Sequence, residues 1–284
     1  IDVLGLATLS TGLFLLVFSL LRGNDLGWSS AWIVGGLAAA VALVVAFVAV
    51  EVRQSRPMLD VGLFRVPTFV GAQIAAFVIS SAVFSLFLYL TLYLQNVLGY
   101  SPLSAGVRFL PITLLSFLCA PIAGKLSAQV PVRALIGGGL ALCTLALLLL
   151  HGLDANSGWS RLLPGFLILG AGIGFVNAPL ASTAVGVVAP HRSGMASGIN
   201  STFRQVGIAT GIAGLGAIFQ ARLGGPPQAR PQGVSPQALQ LFHAEFVSGL
   251  NELFLIAAGV AAAGAILSFA LIRRRDFLTH GEDY

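Results

Sequence analysis

Charge is what this sequence has least of. Only 9% of its 284 residues are charged while 57% are hydrophobic, against roughly 25% charged in an ordinary soluble domain. Ten acidic and fifteen basic side chains cannot furnish the polar shell that a soluble protein of this length needs. Water is therefore excluded as the main solvent, and lipid must face the remaining apolar surface. Cysteine is scarce too: Cys119 and Cys143 stand far apart in apolar runs, without the spacing of a metal or redox site, and read as small buried hydrophobes. No nucleotide-binding loop, catalytic triad or metal cluster stands in any segment, which argues against an enzyme or an ATP-driven pump. No cofactor is expected. Lysine is almost missing, since fourteen of the fifteen bases are arginine, a weak sign of a GC-rich bacterial genome. These bases are scattered singly between apolar runs, so the net charge of +5 marks no nucleic-acid partner. The chain opens on Ile1 without a signal peptide and is expected to be cut from a longer one.

What the sequence has in plenty is long apolar runs. A helix needs about 20 such residues to cross the hydrocarbon core, because every backbone polar group must be satisfied inside the segment. Charge-free runs predict spans at Leu4–Leu21, Ala31–Val50, Thr68–Leu94, Leu103–Leu126, Val132–Leu150, Leu162–Val188, Ile199–Phe219 and Leu253–Ile272. The expected fold is an all-α polytopic transmembrane bundle of eight spans. Gln95-Asn96 and Gly99-Tyr100-Ser101-Pro102 divide the third from the fourth. The seventh is short, because Asn200, Ser201, Thr202, Arg204 and Gln205 crowd its start.

With both termini inside, the inner segments hold Arg53, Arg56, Arg65, Lys125, Arg133, Arg192, Arg204 and Arg273 to Arg275, ten bases against five outside. The positive-inside rule then puts both ends of the chain in the cytoplasm, with the Arg273-Arg274-Arg275 run as an anchor at the inner surface. The segment Glu51–Pro67 reads as an inner hinge. Gln220–Gln240, rich in Pro and Gly, reads as a mobile outer loop without structure of its own. Ser-Pro-Leu-Ser-Ala-Gly at 101–106 and Ser-Gly-Met-Ala-Ser-Gly at 193–198 hint at an inverted three-plus-three repeat.

Several motifs together resemble a known family. They are Glu51-Val-Arg-Gln-Ser-Arg-Pro57 with Leu63-Phe-Arg65, Leu92-Tyr-Leu-Gln-Asn-Val-Leu-Gly99, Ser101-Pro102, Ala105-Gly106, Leu110-Pro111, Gly170-Ala-Gly-Ile-Gly174, Gly194-Met-Ala-Ser-Gly198 and Thr202-Phe-Arg-Gln-Val-Gly207. In order and spacing the chain is similar to the fourteen-helix drug:proton antiporters of the major facilitator superfamily, the QacA and EmrB kind. The resemblance implies helices seven to fourteen: two extra linking helices and a hinge in 1–66, and the carboxy-terminal six-helix half in 67–284. Partners would then be the bilayer, a missing amino-terminal half, a small-molecule substrate and protons. Of the superfamily's loop motif only Gly124-Lys-Leu126 and Arg133 remain; Ala128, Gln129 and Pro131 stand where its Asp, Arg and second Gly belong.

No Asp or Glu falls in the middle of a span, so carboxylates for proton coupling are expected in the other half. The resemblance makes the first, second, fourth and fifth helices of a half line the cavity, which nominates Gln73, Asn177 and Ser182. Phe77, Phe84, Phe87, Tyr89 and Tyr93 make the third span aromatic, as a site for apolar cations or as lipid-facing packing. Arg108 either faces a cavity or snorkels outward. Arg204 and Gln205 serve an inner gate or anchor lipid headgroups. Gly170-x-x-x-Gly174 and Gly207-x-x-x-Gly211 suit close helix packing, and Pro121 and Pro179 suit kinks. The sequon at Asn200 falls on the cytoplasmic side and carries no glycan in this reading. The function read from all this is proton-driven multidrug export by alternating access in a bacterial cytoplasmic membrane. The alternatives are a specific exporter of one endogenous metabolite and a truncated, non-transporting membrane module.

Overall fold

In the computed structural model the described residues are 3–53, 59–154, 156–223 and 235–277. Eight of their helices are long and apolar enough to span a membrane. They are α1 (Val3–Leu26), α2 (Ala31–Glu51), α3 (Pro67–Val97), α4 (Pro102–Leu126), α5 (Val132–Leu150), α6 (Trp159–Gly186), α7 (Ser193–Leu223) and α8 (Pro236–Leu271). Proline opens α3, α4 and α8, where its missing N–H costs no bond. Ser30, Ser101 and Ser235 cap α2, α4 and α8 by accepting from Ile33, Ser104 and Ala238 N–H, filling donors that a helix start leaves open.

The helices alternate in direction. One end of the bundle gathers Asp60, Thr68, Arg192 and the segment 271–276, tied by hydrogen bonds, and the Ser127–Arg133 turn beside it. The opposite end gathers Asn24 with Ala213, Tyr93 with Ser157, and His151 with Asn251. The first is the basic end and the second the far end. The two repeat-like segments open α4 and α7 at opposite ends, as an inverted repeat requires.

Four boundaries differ by more than three residues from those read in the sequence. The first helix continues from Leu21 to Leu26. The seventh starts at Ser193, not Ile199, and ends at Leu223. Its polar start is no break, because Asn200 and Arg204 find partners inside the bundle. The eighth starts at Pro236 and has 36 residues, about 54 Å against a core of about 30 Å, so its first turns project past the far end. The expected outer loop is thus helical at 220–223 and 236–240; residues 224–234 lie outside those described. The segment expected as a hinge is ordered at 59–66, where the Asp60 carboxylate caps the turn Val61–Arg65 by accepting from Gly62 N–H at 2.8 Å; residues 54–58 lie outside those described.

Glycine sets how closely the helices meet. On α6, a Cβ at Gly174 would stand 2.7 Å from Ser116 O of α4, and one at Gly172 would stand 2.8 Å from Gly139 O of α5. The α6 helix therefore lies in backbone contact on both sides, with Cys143 fully buried in the wall. On α7, a Cβ at Gly207 would stand 2.7 Å from Phe77 O of α3, and one at Gly211 would run into Ser81 O. Close approach of small residues is how membrane helices gain packing when lipid is as apolar as leucine. Opposite these glycines α3 widens into a π-helical segment, Ile79–Phe84, with a second at Tyr93–Val97.

Asn251 staples the α5–α6 turn to α8, accepting from Gly152 and Leu153 N–H and donating to Leu153 O at 2.8 Å. The α1–α2 pair attaches to the bundle through α7. There Asn24 donates to Ala213 O at 3.1 Å and accepts from Trp28 Nε1 at 2.9 Å.

A polar network between α3, α6 and α7

Where α7 crosses α3, the turns on the basic side of Gly207 carry polar side chains into the bundle. Asn200 Nδ2 donates to Gln73 Oε1 at 3.2 Å. Arg204, one turn further along α7, donates through its guanidinium to Asn177 Oδ1 on α6 at 2.9 Å and reaches Asn200 Oδ1 at 3.4 Å. Gln73 and Asn200 are buried, Arg204 and Asn177 half-buried. Gln73 lies six residues into α3, about 9 Å from the helix start at 1.5 Å per residue, so the network occupies the basic-side third of the bundle.

Two properties of this network matter chemically. The cation meets amide oxygens instead of a carboxylate, so its charge is spread over neutral partners that other donors can replace. It also holds an unused donor: Gln73 Nε2 is buried without a hydrogen-bond partner, and such groups are costly in an apolar interior. Below the network an apolar layer closes the basic end, with Leu63, Phe69, Val187, Val188, Ala196 and Ile199 packed together. Arg192 pairs with Asp60 across its rim, while Thr68 donates to Asp276 Oδ2 at 2.7 Å and accepts from Arg273 N–H at 2.7 Å.

The aromatic residues of α3 divide between two faces. Phe77, Phe84 and Phe87 are half-buried, and Phe84, Phe87, Phe109 and Phe166 form a ladder with successive ring centroids 6.1, 5.4 and 5.7 Å apart. Tyr89 and Tyr93 lie inside the bundle wall, 2% and 0% exposed, donating to Ile212 O at 2.9 Å and Ser157 O at 2.7 Å. The structure thus does not bring these two tyrosines to the open face shared by the three phenylalanines.

The other candidates are dispersed. Ser182 is exposed and donates to Pro179 O of its own helix at 2.9 Å; Gln205 is exposed beside the network. Helices α4 and α6 run on through Pro121 and Pro179. Arg108 folds at the far end, its guanidinium 3.4 Å from the Tyr100 ring centroid and 6.0 Å from that of Trp159. Gly124 and Arg133 are exposed at the basic end. The clamp residues Asp60, Thr68 and Asp276 escaped the sequence reading. The contacts by which they close this end join residues more than a hundred positions apart, and no local pattern announces those.

Eight apolar helices around a small buried polar network define a polytopic membrane protein of the transporter-bundle class. The sequence pattern of the Major Facilitator Superfamily matches residues 3–212, and the chain belongs to that superfamily. It is similar to the multidrug resistance protein Stp of Mycobacterium tuberculosis (strain ATCC 25618 / H37Rv), 33% identical over 208 residues, covering 73% of this chain and 38% of that protein. The tetracenomycin C resistance and export protein of Streptomyces glaucescens is 29% identical, over 94% of this chain and 56% of its own length. The puromycin resistance protein pur8 of Streptomyces alboniger is 32% identical, over 93% and 52%. The chain thus spans 38% to 56% of the length of these relatives. A bacterial homologue of the human lysosomal transporter Spinster, in an inward-facing and occupied conformation, shares the fold with a TM-score of 0.63 at 14% identity, over 96% of this chain and 70% of that one.

Proposed function

We propose that the protein exports small apolar or cationic compounds across a bacterial membrane by proton-driven alternating access. In this reading residues 1–66 are the linking helices and hinge, and 67–284 are one of two rocking halves. The observation that carries it is the Gln73–Asn200–Arg204–Asn177 network, which joins three helices by exchangeable bonds and brings a half-buried cation into the bundle. Polar and ionisable groups at membrane depth are expensive and mark transport paths. Exposed Leu103, Leu114 and Phe117 along α4, at 80%, 57% and 75%, support a face that a second half covers. The relatives' names supply the export chemistry. The basic end is taken as cytoplasmic from the arginine distribution, so the network stands at the inner gate.

Among the described residues Glu252 comes nearest to a mid-helix carboxylate. It lies 19 residues from Leu271, about 29 Å along the helix, and pairs with Arg222 at 2.6 Å at the far end. Proton coupling is therefore assigned to the other half. Cells producing the complete protein are expected to accumulate less of a lipophilic cationic dye, and a proton uncoupler is expected to abolish the difference. An uncoupler-insensitive difference would remove the proton from the account.

A second reading, export of a single endogenous compound, draws on two relatives whose names each carry one antibiotic, tetracenomycin C and puromycin. A panel of unrelated compounds separates the two: resistance to one alone favours the narrow exporter.

A further inference from the structure

At the basic end, on the side of the bundle formed by α5 and α8, the Ser127–Arg133 turn and the segment after α8 enclose a cavity of about 760 Å³. Its walls carry Arg133, Arg273, Arg274 and Arg275. Among the described residues the one carboxylate close to these four cations is Asp276, 3.8 Å from Arg275 and already accepting from Thr68 N–H and Oγ1–H. Four arginines thus line one space, and the one ion pair among them, within the described residues, is that of Arg275 with Asp276.

This is a built site and not a loose basic tail. Ile272 is 1% exposed, and Arg273 N–H donates to the buried Thr68 hydroxyl at 2.7 Å. Four residues on, the Phe277 ring packs over Gly186 of α6, where a Cβ would meet it at 3.2 Å. The arginine run is therefore pinned at both ends. Apart from Ser127 and Gln129 the rest of the lining is apolar, with Val130, Val132, Ala270 and Ile272 among it. Toward the membrane interior, the half-exposed Phe269 ring packs against Gly137 of α5, and Ile266, 69% exposed, continues the strip along α8.

We propose that this cavity holds the phosphate-bearing headgroup of an anionic phospholipid whose acyl chains run up the Phe269 and Ile266 strip. Guanidinium groups bind phosphate oxygens in paired, charge-assisted hydrogen bonds, and basic pockets between membrane helices suit such headgroups. The volume falls in the range of ordinary ligand sites, about 300–1,000 Å³. A free phosphate ion satisfies the arginines equally but leaves the apolar strip unused. The inference needs the bundle to sit in a membrane and needs nothing of the transport reading, so failure of the dye assay leaves it standing.

Native mass spectrometry of the complete protein, offered cardiolipin, phosphatidylglycerol or phosphatidylcholine in detergent, tests it. Cardiolipin and phosphatidylglycerol are expected to be retained over phosphatidylcholine. The R133Q/R274Q variant is expected to lose retention roughly 30-fold, at about fivefold per basic side chain, while R53Q/R65Q, with the same charge loss elsewhere at the basic end, retains it. Should the double variant not fold, R133Q alone is expected to lose about fivefold. Equal loss in R53Q/R65Q, no preference over phosphatidylcholine, or full displacement by excess inorganic phosphate would each overturn the lipid site.

Discussion

Replacing Gly211 with valine (Gly211→Val) is expected to destabilise the bundle by about 3 kcal/mol, the upper part of the usual range for forcing atoms into a packed interior. The side chain has nowhere to go: its first carbon would collide with Ser81 O and stand 2.5 Å from Ser85 Oγ. Ser81 belongs to the π-helical segment of α3, whose backbone cannot yield without separating α3 from α7. The same substitution at Gly214, three residues along the same helix, meets nothing within 4 Å and is expected to cost nothing measurable. Size-exclusion profiles and thermal unfolding of the two variants, side by side, check both statements. The pair isolates contact from composition, since hydrophobicity and helix propensity change identically.

Arg204→Ala is expected to leave the protein folded and to slow export at least tenfold. Hydrogen bonds to a charged group contribute about 1.5–3 kcal/mol each, and about 1.4 kcal/mol is a factor of ten. Loss of the bond to Asn177 alone is therefore enough for a tenfold effect in the proposed gate. Arg204→Lys keeps the charge but lacks the forked geometry that reaches α6 and Asn200 together, so intermediate transport is expected. Adding Asn177→Ala to Arg204→Ala should change little further, because the two act as one unit. Initial rates of dye efflux normalised to folded protein provide the measurement.

These two expectations differ in how visible they were beforehand. The glycine spacing at 207 and 211 already pointed to close packing, and the structure supplies the surface it packs against. The eight apolar runs were legible because lipid demands an unbroken apolar length, which is a local property. The start of α7 was not. Hydropathy counts Asn200 and Arg204 as interruptions, yet each is satisfied by a side chain more than twenty residues away or across the helix turn. The π segments of α3 were equally hidden, since Ile-Ser-Ser-Ala-Val-Phe and Tyr-Leu-Gln-Asn-Val read as ordinary helix.

Gln73, Asn177 and Arg204 stand far apart in the sequence, and the structure joins them through Asn200. Their proximity depends on three helices meeting, which no one-dimensional pattern encodes. Tyr89 and Tyr93 show the converse. An aromatic span gives no hint of which rings turn inward, and it is the carbonyls of Ile212 and Ser157 that hold these two hydroxyls inside the wall.

Labelling tests directly whether the network borders the path of a transported compound. In the complete protein with Cys119 and Cys143 replaced by alanine, Asn177→Cys is alkylated by a permeant maleimide with and without the exported dye. Gly138→Cys, at a position with open space around it, serves as the reference. The dye is expected to slow alkylation at position 177 and to leave position 138 unchanged. Equal rates at position 177 with and without dye would contradict it.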